Sequence, residues 1–267
     1  MTEARRYRWL TAPAAALWML GVALPLLLIL RLSVYSRGEI SGARQFETLF
    51  YQPETWTLDN FVQVLTTPFY LNTLAFTIGL AVTSTVLTLV LGYVVAYAVY
   101  RSSPAGKVVL LVLVTLPKFT NILVFVYGLK MILGPSGFWP VVAAEVLMLL
   151  PYAVLTIAAA LEAVPFSLVE AARGLGASAA QAFWKVTFPL SLPGTIAAAT
   201  LAILWSLGAF LGPYLLGQPA QYTISVEIDR QMNHDLNWAL AAALNVVLLG
   251  VMAICGYSLT SIRRRLA

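Results

Sequence analysis

Six long apolar stretches dominate the pattern along the chain: 10–33, 70–100, 108–133, 138–161, 193–217 and 236–261. A helix needs about 20 mostly apolar residues to cross the hydrocarbon of a bilayer. Each stretch therefore predicts a transmembrane helix, and the fold class is an all-α polytopic membrane protein. Residues 1–267 read as one transmembrane domain. The second stretch is longer than a span requires and is expected to tilt or to begin in the interface. Only Gly134-Pro135-Ser136-Gly137 separates the third stretch from the fourth, which predicts a tight turn. The longest polar intervals are 34–69 and 162–192, and a shorter one covers 218–235.

Composition supports lipid as the solvent. The chain is 60% hydrophobic and 10% charged, against about 25% charged in a soluble domain. The basic start, Met1 to Trp9, followed by apolar Leu10 to Leu30, has the layout of a secretory signal. The apolar run is long enough to span, however, and no small-residue cleavage site follows it, so a retained helix is expected. Cys255, the single cysteine, has no partner for a disulfide or a metal and reads as a small buried hydrophobe. His234 is the one histidine, which leaves no histidine cluster for a metal.

The net charge of +5 does not indicate nucleic acid, because the basic residues stand at the ends of apolar stretches. Six spans put both termini on one side. With that side cytoplasmic, the inner segments hold Arg5, Arg6, Arg8, Arg101, Lys107, Arg173, Lys185, Arg263, Arg264 and Arg265. The outer segments hold Arg31, Arg37, Arg44 and Arg230, together with Glu39, Glu47, Glu54, Asp59, Glu227, Asp229 and Asp235. Basic residues gather on the cytoplasmic side of membrane proteins, so both termini are expected there.

The interval 162–192 has the pattern of ordered structure. Ser167-Leu168-Val169-Glu170 has the spacing of a capping box, in which a serine and a glutamate satisfy free N–H groups at a helix start. Gly174 and Gly176 supply a break. Ser178-Ala179-Ala180-Gln181 forms a second box opening another helix, and Pro189 and Pro193 are expected to stop that helix and launch the fifth span. The predicted unit is a helix, a glycine turn and a helix, with Phe183 and Trp184 available for contact.

The run Glu170-Ala171-Ala172, three residues, Gly176, nine residues, Val186, one residue, Phe188-Pro189 resembles the EAA signature of ABC-importer permeases. It departs from that pattern at Val186 for isoleucine and Phe188 for leucine, both apolar for apolar. The resemblance implies a type I permease fold in a bacterial inner membrane. It also implies that Ser167, Glu170, Ala171, Ala172, Gly176, Val186 and Pro189 belong to a loop docking on a cytoplasmic ATP-binding subunit dimer. That partner would use ATP and magnesium, and this chain would hold no cofactor. A second, related permease and an extracytoplasmic solute-binding protein complete the implied assembly. Trp56-Thr57-Leu58-Asp59-Asn60-Phe61, Asn72-Thr73-Leu74 and Leu91-Gly92-Tyr93-Val94-Val95-Ala96-Tyr97 are similar to the spermidine/putrescine branch, whose relatives handle opines, thiamine and iron.

Ionisable residues within spans are expensive and point to function. Lys118 and Glu145 stand on the third and fourth spans, where they form either a structural ion pair or a charged solute site, with Asn121 one turn from Lys118. Lys130 is near enough to the span end to snorkel. Trp205 and Phe210 on the fifth span are candidates for lining the path. A polyammonium solute suits Glu145 and the aromatic faces, whereas Lys118 suits a solute bearing a carboxylate, such as an opine or an amino acid derivative. The chain has no phosphate-binding G-x-x-x-x-G-K-[ST] loop and no hydrolase or metalloprotease motif. A permease without catalytic activity is therefore expected, and an ion-gradient transporter is the distant alternative.

Overall fold

The structure is a computed structural model that describes residue 13 and residues 16–35, 56–134 and 136–266. The basic run Met1 to Trp9, the first residues of stretch 10–33, Pro135, and Arg37, Glu39, Arg44, Glu47 and Glu54 lie outside the described residues.

Helices account for nearly all of the rest: α1 (Ala16–Ser33), α2 (Asp59–Thr66), α3 (Pro68–Arg101), α4 (Pro104–Thr115), α5 (Ile122–Leu133), α6 (Phe138–Glu162), α7 (Phe166–Gly174), α8 (Ala179–Leu207), α9 (Leu211–Leu216), α10 (Ile224–Asn233) and α11 (Trp238–Leu266). Among the described residues the only extended pairing is one bridge, Tyr35 with Trp56. Five helices, α1, α3, α6, α8 and α11, are long and apolar enough to cross a membrane. The pair α4 and α5 passes the same test together, bent by 101°.

Two predicted spans differ from the structure. Stretch 108–133 is not one helix. Pro117 lacks the N–H that would continue α4, a tight turn over Leu116–Phe119 follows, and Thr120 is extended before α5 begins. Stretch 193–217 starts too late and runs too far. Neither Pro189 nor Pro193 stops the chain, and α8 continues from Ala179 to Leu207. A π turn over Phe183–Thr187 precedes the two prolines and absorbs the change in hydrogen-bond register. The helix ends at Gly208, and the short α9 follows.

The chain packs into two compact units, one built from the described residues up to Leu71 with Glu227–Leu249, the other from Asn72–Val226 with Gly250–Ala267. In the first unit, Asn60 Nδ2 donates to the Ser33 and Tyr35 carbonyls at 3.1 and 2.7 Å. Donors of this kind serve the carbonyls that a helix end leaves unpaired. Trp56 packs edge-on against Tyr35 at 5.1 Å. The Trp56 to Phe61 motif is thus a stopper for the first helix.

In the second unit α6 is the hub: 67% of its most apolar stretch is buried, against 6% for α1. One buried cluster joins Ala96 and Val99 of α3 to Val154, Ile157 and Leu161 of α6 and Ala198 of α8. Another joins Leu80 of α3 and Val126 of α5 to Val142 and Val146 of α6 and Leu216 of α9. Small residues set the approach. A Cβ on Gly92 would stand 3.0 Å from the Ala153 Cβ, and one on Gly194 only 2.1 Å from the Ala160 Cβ. Helices in lipid associate through such close packing because hydrocarbon offers no hydrophobic drive between them.

Candidate functional site

The loop between α6 and α8 is built from two helix-end devices. α7 ends in a Schellman motif: the Gly176 N–H donates to the Arg173 carbonyl at 3.0 Å and the Ala177 N–H to the Ala172 carbonyl at 3.1 Å. That geometry needs a left-handed residue past the helix end, and Gly176 supplies it at φ 88°. Four positions separate Ala172, whose carbonyl is captured, from Gly176, which explains the spacing between these residues in the signature. α8 then opens on a complete capping box, with the Gln181 N–H donating to Ser178 Oγ at 3.2 Å and the Ser178 N–H to Gln181 Oε1 at 2.9 Å. The other predicted box does not form. Pro165 holds the N-cap position of α7 with no side-chain capping bond, and Ser167 lies inside the helix. The Leu168 N–H donates to the Pro165 carbonyl at 3.1 Å, so the capping position lies two residues before Ser167 and the serine is past it.

α7 has no buried residue. Ser167, Glu170, Ala171 and Gly176 are exposed, Ala172 is half-buried, and Phe166, Leu168, Leu175 and Trp184 present apolar surface. Behind this surface, Phe183 packs against Tyr97 at 5.0 Å and Tyr93 at 6.0 Å. Tyr93 shares a 2.8 Å hydrogen bond between its hydroxyl and that of Ser191. Val186 falls in the π turn, and Pro189 opens the α-helical part of α8. Tyr93 and Tyr97 of the Leu91 to Tyr97 motif are thus the face of α3 on which the loop rests.

A second site lies at the break between α4 and α5. Pro117, Lys118, Thr120, Phe125, Met148 and Trp205 are among the residues lining a cavity of about 130 Å³. The Lys118 Nζ stands 4.4 Å from the centroid of the Tyr152 ring and 5.5 Å from that of Trp205, and the rings are 6.0 Å apart. Lys118 and Glu145, paired in one sequence reading, form no ion pair. Glu145 is 2% exposed, and its Oε2 has no hydrogen-bond partner. A Cβ on Gly212 would stand 2.9 Å from Glu145 Oε1, so that glycine makes room for the carboxylate. Asn121 caps α5, its Oδ1 accepting from the Leu123 N–H at 2.9 Å. Phe210 lies outside the cavity and stacks on Tyr214 at 5.4 Å. Lys130 is structural, its Nζ donating to the Leu215 carbonyl at 2.8 Å.

Sequence reasoning missed Tyr152, which lies seven residues from Glu145 and four from Met148 and so shares their face of α6. Its one sequence signal was that spacing, legible only once Lys118 stood at a break. A polar cluster on and after α10 was also missed. Gln231 donates to Glu227 at 2.9 Å and to Asp235 at 2.9 Å, while Arg230 pairs with the same carboxylates at 3.2 and 3.7 Å. Burial pushes the Glu227 carboxyl above its ordinary range, against the lowering pull of Gln231 and Arg230.

A family model described as binding-protein-dependent transport system inner membrane component matches residues 2–266. The spermidine/putrescine transport system permease protein PotB of Escherichia coli (strain K12) is 30% identical over 259 residues, covering 89% of this chain and 90% of that protein. The trehalose transport system permease protein SugB of Mycobacterium tuberculosis (strain CDC 1551 / Oshkosh) is 29% identical over 187 residues, 68% of this chain and 66% of that one. Among solved structures, a bacterial ABC transporter involved in the import of the acidic polysaccharide alginate matches at a TM-score of 0.78 and 17% identity. That match covers 98% of this chain and 96% of the other. The inward facing MetNI methionine ABC transporter matches at 0.62 and 19%, covering 74% and 95%. At such identities the structural likenesses bear on the fold, and the fold they share is all-helical.

Proposed function

This chain belongs to the family of binding-protein-dependent transport system inner membrane components, and from that premise we propose that it carries a polyamine, spermidine or putrescine, across the membrane. It is the permease subunit of an ABC importer, multi-pass in the inner membrane and non-catalytic. In the proposed assembly a cytoplasmic ATP-binding dimer supplies the energy with ATP and magnesium. A second, related permease completes the path, and an extracytoplasmic solute-binding protein delivers the solute. Both termini face the cytoplasm.

The observation that carries this reading is the exposed α7, a short rigid helix with no buried residue, tied at its end by Gly176 and backed by the aromatic residues of α3 and α8. Glu170, Ala171 and Ala172 lie along that helix, and Ser167 lies in its first turn. Closure of the ATP-binding dimer pushes α7, and Phe183 passes the displacement to Tyr93 and Tyr97. Bistable packed elements convert such small shifts into larger ones. The spans then open outward to receive solute, and hydrolysis resets them. Lys118, Glu145, Trp205 and Asn121 stand where the solute passes, and Phe210 flanks the break after α8.

The polyamine assignment rests on the likeness to PotB over nearly the whole chain and on aromatic faces at the broken span. The charge on Lys118 favours a second reading, a solute carrying a carboxylate. Both are tested by purifying the tagged chain with its partners and measuring ATP-driven uptake of labelled spermidine and labelled glutamate into proteoliposomes. Saturable spermidine uptake supports the proposal, and glutamate uptake alone overturns it. Loss of the ATP-binding partner when Glu170 and Gly176 are altered is expected for the coupling loop. A stable chain that purifies without an ATPase would sink that role.

A further inference from the structure

The cavity beside the break already holds an ammonium group, and that group belongs to the protein. Two aromatic faces converging on one cation are how proteins bind alkylammonium ligands, and Tyr152 and Trp205 converge on Lys118 Nζ at 4.4 and 5.5 Å. Lys118 is the one charged residue among those lining the cavity. It forms no hydrogen bond or ion pair among the described residues, and the two rings are what its ammonium rests against. Glu145, Met148 and Tyr152 follow one another along one face of α6, and Glu145 there keeps a buried oxygen without a partner.

We propose that Tyr152 and Trp205 form an alkylammonium site which Lys118 occupies as a tethered stand-in while no solute is bound, and that an incoming solute ammonium takes its place on the rings. This rests on the polyamine reading above and specifies how the same site receives such a solute. The displaced Lys118 turns from the rings, and Glu145 supplies the counter-charge on that face, so two cations are never left uncompensated. A tethered competitor acts at an effective concentration in the millimolar range. It keeps the site weak enough to release what it binds, as a path that must pass solute onward requires.

The test uses the assembled complex in nanodiscs and measures equilibrium binding of tetramethylammonium and spermidine. Replacing the competitor by an uncharged side chain of similar length, Lys118→Met, is expected to tighten binding of both probes about tenfold. Lys118→Arg should bind like the natural protein, and adding Trp205→Leu to Lys118→Met should abolish the gain. Trp205→Leu alone removes a ring without removing the charge and should weaken tetramethylammonium binding, which gives a second route should Lys118→Met not assemble. Unchanged or weaker ammonium binding in Lys118→Met overturns the proposal, as does a parallel glutamate titration in which Lys118→Met loses glutamate binding and nothing else, which would make Lys118 an anion anchor. If the natural complex imports no polyamine while Lys118→Met still tightens tetramethylammonium binding, the solute assignment falls and the clamp stands. If polyamine is imported and Lys118→Met changes nothing, the clamp falls alone.

Discussion

Replacing Gly194 with alanine tests how tightly α6 and α8 are packed. The new Cβ would stand 2.1 Å from the Ala160 Cβ and 3.5 Å from both the Ala160 Cα and the Thr156 carbonyl oxygen. Carbon atoms sit comfortably at about 3.5 to 4.0 Å, so the two helices must part by roughly 1.4 Å. Neither side has a flexible tip to swing aside, because both clashing atoms are Cβ atoms attached to helical backbone. A gap of about 0.5–1 Å already forfeits about a quarter to a half of each contact well, and this separation is wider. Overpacking usually costs about 1–3 kcal/mol, and this case belongs at the upper end. The assay is thermal unfolding of the detergent-solubilised chain for Gly194→Ala, Ala160→Gly and the double variant. Gly194→Ala is expected to lower the melting temperature, and the double variant to recover most of the loss, a coupling that a double-mutant cycle isolates. Uptake should fall with the single change too, since α6 carries Tyr152 and α8 carries Trp205. Natural stability in Gly194→Ala, or no recovery in the double variant, would refute the packing argument.

Other outcomes follow from the two helix-end devices of the loop between α6 and α8 and from the polar cluster of α10. Gly176→Val forces a branched side chain into a left-handed backbone at about 1–2 kcal/mol, and should release the ATP-binding partner in pull-downs while membrane levels hold. Ser178→Ala removes one half of the capping box at about 1 kcal/mol, detected as a lower melting temperature with the partner still bound. Glu227 is held above its ordinary pKa by burial, so its contribution to stability is present below the ordinary carboxyl value and is lost as pH rises through the raised one. Glu227→Gln should flatten that part of the stability profile between acid and neutral pH, and an unchanged slope would assign it to another group.

The parts of the fold written in hydropathy were legible in the sequence: α3, α6 and α11 fall within a few residues of stretches 70–100, 138–161 and 236–261. The places where proline acts were not. Pro117 breaks a span that hydropathy alone reads as continuous, while Pro189 and Pro193 sit inside a helix they were expected to end, because the π turn before them shifts the hydrogen-bond register. Composition carries no record of which proline finds such an accommodation. At the loop, the second capping box and the glycine turn were readable because each is a local pattern. The first box did not form because α7 begins right after Pro165, which leaves Ser167 inside the helix and away from the capping position. At the cavity, Lys118 and Trp205 stood out by type, but Tyr152 did not, since one tyrosine in an apolar run says nothing of its facing helix. That Lys118 meets the Tyr152 and Trp205 rings and forms no ion pair with Glu145 depends on the rotation of α6 and α8 about their axes, which hydropathy does not record.

The bend between α4 and α5 also bears on how the protein is made. Backbone that leaves the helix at membrane depth does not persist bare against hydrocarbon; it survives where protein covers it or water reaches it. Phe119 at that bend is 86% exposed within the single chain. The side of the molecule bearing Pro117 to Asn121 is therefore the side that must not face lipid, and a newly inserted copy is unfinished there until something covers it. Cellular lifetime then becomes a measure of assembly. Synthesised without a companion subunit, the chain should be cleared faster than when the two are made together, and straightening the bend should lengthen the survival of the orphan.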